Sequence, residues 1–323
     1  MAQRIQALRS AYDGGTGVPI RGDTWLGVDQ GGGERMTAAA DDGRQVPQEL
    51  ADLVLRTDGH VAHLVLNRPQ RLNAIDVGLV ETFHATLAQL RGRSDLSAVT
   101  LTGAGRAFCA GADVKSMAGR PARHLLEGDE LERARSEERR RLRRAFSVTV
   151  GLAELPQATV AGLHGSVAGA GIALALACDW RVAAESTVFV PGFAQLALPG
   201  DWGISWLARR KVGEAAARRL LLAGERIDAD EALRVGMVDQ VVPDEDLHGA
   251  LAQQLTAFSD AAPTAIAAAK GLLRPRGLRR AIRREVAATL GCQETPAHAT
   301  AVADFRLRNG PGPRNRVNER TDR

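Results

Sequence analysis

The sequence predicts an α/β body built of successive β-β-α units, and three observations carry that expectation. Apolar runs rich in Val, Leu and Ala recur along the chain, each followed by a stretch of helical periodicity. Glycine-rich turns close several of these runs, at the points where strand hands over to helix. Hydrophobic residues make up 45% of the 323, enough to fill a core.

Each element follows in order. Residues 1 to 46 are rich in Gly, Asp and Arg without sustained period, which predicts a disordered or artefactual extension. "DQGGGERM" ends there at Met36, an alternative start of translation to Met1. We divide the chain into this extension (1–49), a folded core (50–245) and a C-terminal helical region with its tail (246–323). "HVAHLVLNRP" (60–69) reads as a strand ending in a turn at Asn67-Arg68-Pro69. "IDVGLVETFHATLAQLRG" (75–92) has apolar residues at helical spacing. "LSAVTLTGAG" (96–105) is a second strand, and "AFCAGADVKSM" a loop entering a helix. Dense charge over 118–145 predicts a solvated helical excursion. "QATVAGLHG" (157–165) is a third strand leading into "GSVAGAGIALALACDWRV" (165–182), and "WRVAAESTVFVP" adds short strands. Helices are expected over 214–224, 228–235 and 246–258, with further Ala- and Arg-rich helix to the end.

Composition narrows the class of function. The formal net charge of +4 comes mostly from arginine. Nucleic-acid binding, an anionic small ligand and a GC-rich coding sequence all produce such an excess; aromatics at 4%, with one tyrosine, argue against a base-stacking surface. Cys109, Cys178 and Cys292 are widely spaced, with no CxxC pair. That spacing supports neither a disulfide framework nor a zinc ribbon and fits a reducing cytoplasm. No run of about 18 apolar residues suits a membrane span, and the N-terminus lacks a secretory apolar region. "GAGIAL" lacks the third glycine of a dinucleotide fingerprint, and no phosphate-binding P-loop occurs.

Two segments share one logic. "CAGADVKSM" (109–117) and "VAGAGIALA" (167–175) each place small residues just before a helix. Small residues let main chain approach a ligand closely, and a helix start offers unpaired N–H groups and partial positive charge. Two such turns facing one another would hold a carbonyl oxygen as an enolate, an oxyanion hole. Taken singly, each is also an ordinary strand-to-helix connection.

"LVLNRPQRLNAID", "LTGAGRAFCAGADVKSM", "VAGLHGSVAGAGIALALACDWRVAAESTVF" and "GERIDADEALRVGMVDQVVP" occur in the order seen in the crotonase (enoyl-CoA hydratase/isomerase) superfamily, which the chain resembles from about residue 53 to about 275. The resemblance implies a crotonase-like spiral of ββα units with a C-terminal helical region, usually assembled as homotrimers or dimers of trimers. It implies an acyl-CoA thioester substrate and no metal or redox cofactor, CoA being part of the substrate. Carried over residue by residue, it assigns the oxyanion donors to the backbone N–H groups of Ala112 and Ala170. It brings CoA near the "NRPQRLNA" turn and the segment from Ala110 through Asp113 to Lys115, with Arg68, Arg71 and Lys115 facing phosphates and Lys270 approaching from the C-terminal region. Each of these cations also reads as an ordinary surface charge.

The family's hydratases use two glutamates, and the matching positions here are Ala173 and Phe193. Neither carries a proton. Asp201, in "LALPGDWGISWLARRKVG", stands where ordinary hydratases have glycine or alanine and where the family's dienoyl-CoA isomerases have an aspartate. An Asp at a helix start also reads as an N-cap. With Phe193, Trp202 and Trp206 expected to make the acyl pocket apolar, desolvation would raise the Asp201 pKa into a range useful for moving a proton to and from carbon. The expectation is therefore a double-bond isomerase using Asp201 as acid and base, with hydration through Asp201 or a catalytically decayed acyl-CoA binder as alternatives. Cys109 and His164 read as buried packing residues, and Glu154 and Glu185 lie outside the family's catalytic positions.

Overall fold

The computed structural model describes residues 51–113, 123–274 and 276–309, with the backbone of the two-residue strands β1 (Ala38–Ala39) and β2 (Gln45–Val46). The expected extension over 1–49 lies, those strands apart, outside the described residues, as does Lys115. Among the described residues no helix is long and apolar enough to cross a membrane.

Alternation of short apolar strands with helices produces a mixed α/β architecture. β3 (Leu53–Asp58) and β4 (Val61–Leu66) form an antiparallel hairpin. β5 (Ala98–Gly103), β6 (Ala158–Leu163), β8 (Trp180–Ala184) and β11 (Gln240–Val242) extend it in parallel, in the order β11-β8-β6-β5-β4-β3. β5 and β6 are buried at every position, because parallel strands covered on both faces need continuous small or apolar side chains. A second sheet pairs β7 (Ser166–Ala168) with β9 (Val188–Val190) in parallel, and β9 with β10 (Ile227–Asp228) antiparallel. Single bridges continue it: Cys109 to Val167, then Ala112 to Ile75. The chain thus repeatedly leaves a strand of the main sheet, touches the small sheet and enters a helix.

Those helices are α1 (Val77–Arg91), α2 (Gly128–Ala153), α3 (Ala170–Ala177) and α4 (Ile204–Arg218). The Asp76 carboxylate caps α1 by accepting from the Leu79 N–H at 2.9 Å. Every residue of α3 is buried, which is why "AGIALALA" has no polar face. α5 (Ala229–Arg234), α6 (Leu247–Ser259), α7 (Pro263–Leu272), α8 (Leu278–Gln293) and α9 (Pro296–Asn309) complete the helical region.

Two sequence expectations need correction. The charged stretch over 118–145 is only half a solvated excursion. Helix α2 runs on to Ala153, and its second half buries Leu142, Ala145, Phe146, Val150 and Leu152, packing against α1, α3 and α8. The arginines hid that apolar stripe. The helix expected to begin at 214 is preceded by one from Ile204, the two meeting at Gly213, whose φ of 78° breaks the helical run.

Asn73 ties the first unit together. Fully buried, its Nδ2 donates to the carbonyls of Ala104, Ala107 and Phe108 at 2.9, 2.8 and 3.2 Å, and its Oδ1 accepts from the Arg68 N–H at 2.8 Å. Replacing it with alanine strands those groups without partners. Asn73→Ala is expected to lower stability by about 2–3 kcal/mol in urea denaturation, the order for a broken buried network.

Candidate active site

The path of residues 109–113 sets the geometry of the site. Cys109 pairs with β7: its N–H donates to the Ser166 carbonyl and its carbonyl accepts from Ala168 N–H. Three residues on, the chain has changed partner. Ile75 donates to the Gly111 carbonyl at 2.8 Å and accepts from Asp113 N–H at 2.9 Å. In a parallel bridge of this kind the residue between those two, Ala112, turns its own N–H away from Ile75. The switch passes through Gly111 at φ 87°, where a β-carbon would sit 2.9 Å from the Ala168 carbonyl oxygen and 3.5 Å from the Ala170 nitrogen. Ala170 opens α3, so its N–H belongs to the first turn, which has no acceptor within the helix. The two glycine turns picked out in the sequence are therefore in contact.

A cavity of about 410 Å³ lies beside them. Ala112 and Ile75 form one side, Val80 of α1 and Leu142, Ala145 and Phe146 of α2 another, and Leu198, Asp201 and Trp202 close it together with Thr289 and Gln293 of α8. The Trp202 and Phe146 rings lie 6.0 Å apart, tilted by 39°. Arg140 and Arg144 stand on the exposed part of the wall, Arg144 paired with Glu81 at 2.6 Å. Ala112 and Asp201, distant in sequence, share this space.

Asp201 is the chemically unusual group here. Its Oδ1 is shut off from solvent and has no hydrogen-bond partner among the described residues. Burial first, then the negative charge of Glu285, push its pKa up to about 8, against a smaller opposing pull from Arg141. A carboxyl without donors is cheaper to bury neutral than ionised. The N-cap alternative does not describe it: the residue at the N-cap of α4 is Gly203, with no side-chain capping bond.

The structure distributes the remaining expected site residues unevenly. Trp202 is on the cavity wall, whereas Phe193 and Trp206 are not. Phe193 is packed in the main core, and Trp206 faces Gly277 and the guanidinium of Arg210. Ala173 is wholly buried in α3. The Ala110 N–H is bonded to the Leu72 carbonyl at 2.8 Å. Arg68 is no loose cation: it pairs with Asp76 at 2.7 Å and Asp52 at 3.4 Å, approaches Asp113 at 3.8 Å, and donates to the Ala74 carbonyl. Lys270 is likewise held inside, with Nζ 2.5 Å from Asp179, 2.8 Å from the Gln157 carbonyl and 3.2 Å from Thr159 Oγ1. Both cations are used by the fold, and of the four cations expected near CoA Arg71 is the exposed one among the described residues. Burial pushes the Cys109 thiol up to about 12, which leaves no thiolate for nucleophilic work.

The wall contributed by α2 and α8 was missed in the sequence. Leu142, Ala145 and Phe146 do repeat at helical spacing within "RRRLRRAF", and Leu278, Ile282, Glu285, Val286 and Thr289 repeat along α8. The signal was present but lay inside arginine-rich runs.

Sequence and structure comparisons identify the family. Residues 56–303 match the Enoyl-CoA hydratase/isomerase family, and the chain belongs to it. It is 35% identical over 211 residues to a "Probable enoyl-CoA hydratase" of Mycobacterium tuberculosis, covering 65% of this chain and 76% of the relative. It is 37% identical over 205 residues to the 1,2-epoxyphenylacetyl-CoA isomerase of Escherichia coli, covering 63% and 74%. The crystal structure of an enoyl-CoA hydratase from Mycobacterium avium subsp. paratuberculosis superposes with a TM-score of 0.68 at 26% identity, over 81% of this chain and 98% of that one. The fold is that of the crotonase enzymes.

The raised Asp201 pKa has a consequence for stability. A carboxyl whose folded pKa is about 8 against an ordinary 3.8 holds its proton more tightly when folded. Its stabilising share is complete below about pH 4 and is lost as pH rises towards and through 8. Asp201→Asn, which cannot ionise, is therefore expected to melt several degrees above the parent at pH 9, the gap closing by pH 4 in thermal-melt measurements.

Proposed function

We propose that the protein isomerises the double bond of an enoyl-CoA thioester, with Asp201 as the single proton carrier. The observation that carries this reading is a carboxyl group, on the wall of the cavity that Ala112 also lines, whose Oδ1 is buried without a hydrogen-bond partner among the described residues. The thioester oxygen would accept from the N–H groups of Ala112 and Ala170. Ionised Asp201 takes a γ-proton from the 2-enoyl group, the electrons move through the conjugated system onto the thioester oxygen, and Asp201, its proton exchanging with solvent, protonates the dienolate at the α-carbon. Charge is conserved at each step, and one base suffices. The two positions at which the family's hydratases carry glutamate hold Ala173 and Phe193, which favours a one-carboxyl reaction.

A second reading, hydration of a 2-enoyl-CoA with Asp201 handling the water and its proton, draws on the relatives named as hydratases. Assembly into trimers or dimers of trimers belongs to the same family-based proposal, and the widely spaced cysteines support a cytoplasmic location.

Incubation with 2-enoyl- and 3-enoyl-CoA esters in heavy water separates these possibilities. Isomerisation predicts α- and γ-deuterium and a shifted double bond; hydration predicts a 3-hydroxyacyl product; thioester binding without either would mark a decayed enzyme. Asp201→Asn is expected to lower turnover at least ~10³-fold, the upper range for removing a general base. Gly111→Ala, whose methyl collides with the Ala168 carbonyl and tilts Ala112 N–H, should cost ~10²-fold in kcat with Asp201 intact, the order for losing one oxyanion donor.

A further inference from the structure

We propose that Glu285 is the positioning residue of this site: reaching from α8, it clamps the turn that carries Asp201 and so aims that carboxyl at the cavity. The inference rests on the proposed role of Asp201.

The turn from Gly200 to Gly203 is an improbable piece of backbone. Gly200, Trp202 and Gly203 have φ of 105°, 55° and 85°, and Trp202 pays the steric cost of a left-handed conformation that a bulky residue rarely adopts. Such a turn persists only where its surroundings hold it. Glu285, on α8 and 82 residues from Gly203 in sequence, does so. Its Oε2 accepts from Gly203 N–H at 2.6 Å, and its Oε1 accepts from Ser205 N–H at 2.9 Å and Ser205 Oγ at 2.5 Å. Three donors around one carboxyl group favour its ionised form and oppose the burial that holds its pKa above the ordinary 4.5. In the first turn of α4 the Ser205 N–H receives from Glu285 what an N-cap side chain ordinarily supplies; local sequence provides none, because the N-cap residue is Gly203.

Buried at 6% exposure, Glu285 serves no other evident purpose. A charged group there is costly unless its hydrogen bonds are complete, and an apolar residue would continue the Leu278, Ile282, Val286 stripe. It also acts on Asp201 through its field. The charged groups facing Asp201 are Glu285 from α8 and Arg141 from α2, and Arg141 is already paired with Glu138. Arg140, Arg144, Glu81 and Asp76 complete the charged part of the cavity wall, with Arg144 bound to Glu81 and Asp76 to Arg68. Glu285 is thus a like charge beside the proton carrier, and docking of α8 both shapes the turn and makes Asp201 a stronger base.

The test is the pH profile of kcat/KM for deuterium exchange, measured on the whole protein. In the parent, activity should rise with pH around 8, as Asp201 ionises. Glu285→Gln keeps the shape but removes the charge, and should move that rise about one pH unit towards acid, the order for a neighbouring like charge. Glu285→Asp keeps the charge but withdraws it from the turn. It should leave the rise near 8 while lowering kcat about tenfold or more, the order for a misplaced catalytic group. An unmoved rise in Glu285→Gln, or parent kcat in Glu285→Asp, would overturn the proposal even where Asp201→Asn is inactive. An active Asp201→Asn would instead overturn the role of Asp201 itself.

Discussion

Two backbone turns lie in contact with no side chain between them, and the site depends on that contact. The Gly111 turn meets Ala168 and Ala170, and a β-carbon on Gly171 would stand 2.9 Å from both the β-carbon and the carbonyl oxygen of Cys109. Main chain can approach main chain this closely only where one partner lacks a side chain. Glycine is entropically costly in a folded chain, so such a junction needs outside support. The bridges at Cys109 and Ala112 and the buried amide of Asn73 provide it. With the turns held, the Gly111 segment and the start of α3 stay in contact.

Charge in the molecule divides between the fold and the site. Arg68 and Lys270 resemble free cations in the sequence, yet each, like Arg181, is held against carboxylates and carbonyls that join distant segments. Arg181 is 2% exposed, paired with Asp239 at 2.5 Å and donating to the Cys178 carbonyl at 2.7 Å. Lys270 ties α7 to the start of β6 through Asp179 and Gln157. Breaking such a pair leaves an uncompensated buried charge, so these residues are committed. Asp201 has no such partner among the described residues. A lone carboxyl in an apolar wall keeps its proton near neutral pH and can exchange it, which a salt-bridged one cannot.

Much of the fold was legible because its signals are local. The strands at β4, β5 and β6 and helix α1 follow from apolar period and turn residues within windows of ten to twenty residues. The all-apolar run of α3 announced a buried helix. The apolar half of α2 and the helix from Ile204 were not read, since arginines flank the stripe in one and Gly213 interrupts the other. In the candidate site, Ala112, Trp202 and Asp201 were named from sequence and the structure sets them on one cavity. Phe193 and Trp206 were named with them and point elsewhere, because aromatic residues near a site in sequence fill the core as readily as a pocket.

The amino-acid sequence by itself determined the order of ββα units, the two glycine turns and the absence of glutamate at positions 173 and 193. Those are properties of residue type and short spacing. Only the tertiary structure decided which cations were free, which aromatics faced the cavity, and that Glu285 stands beside Asp201. Burial, a field from a second helix and a missing hydrogen-bond partner are relations across space. No window of sequence contains them.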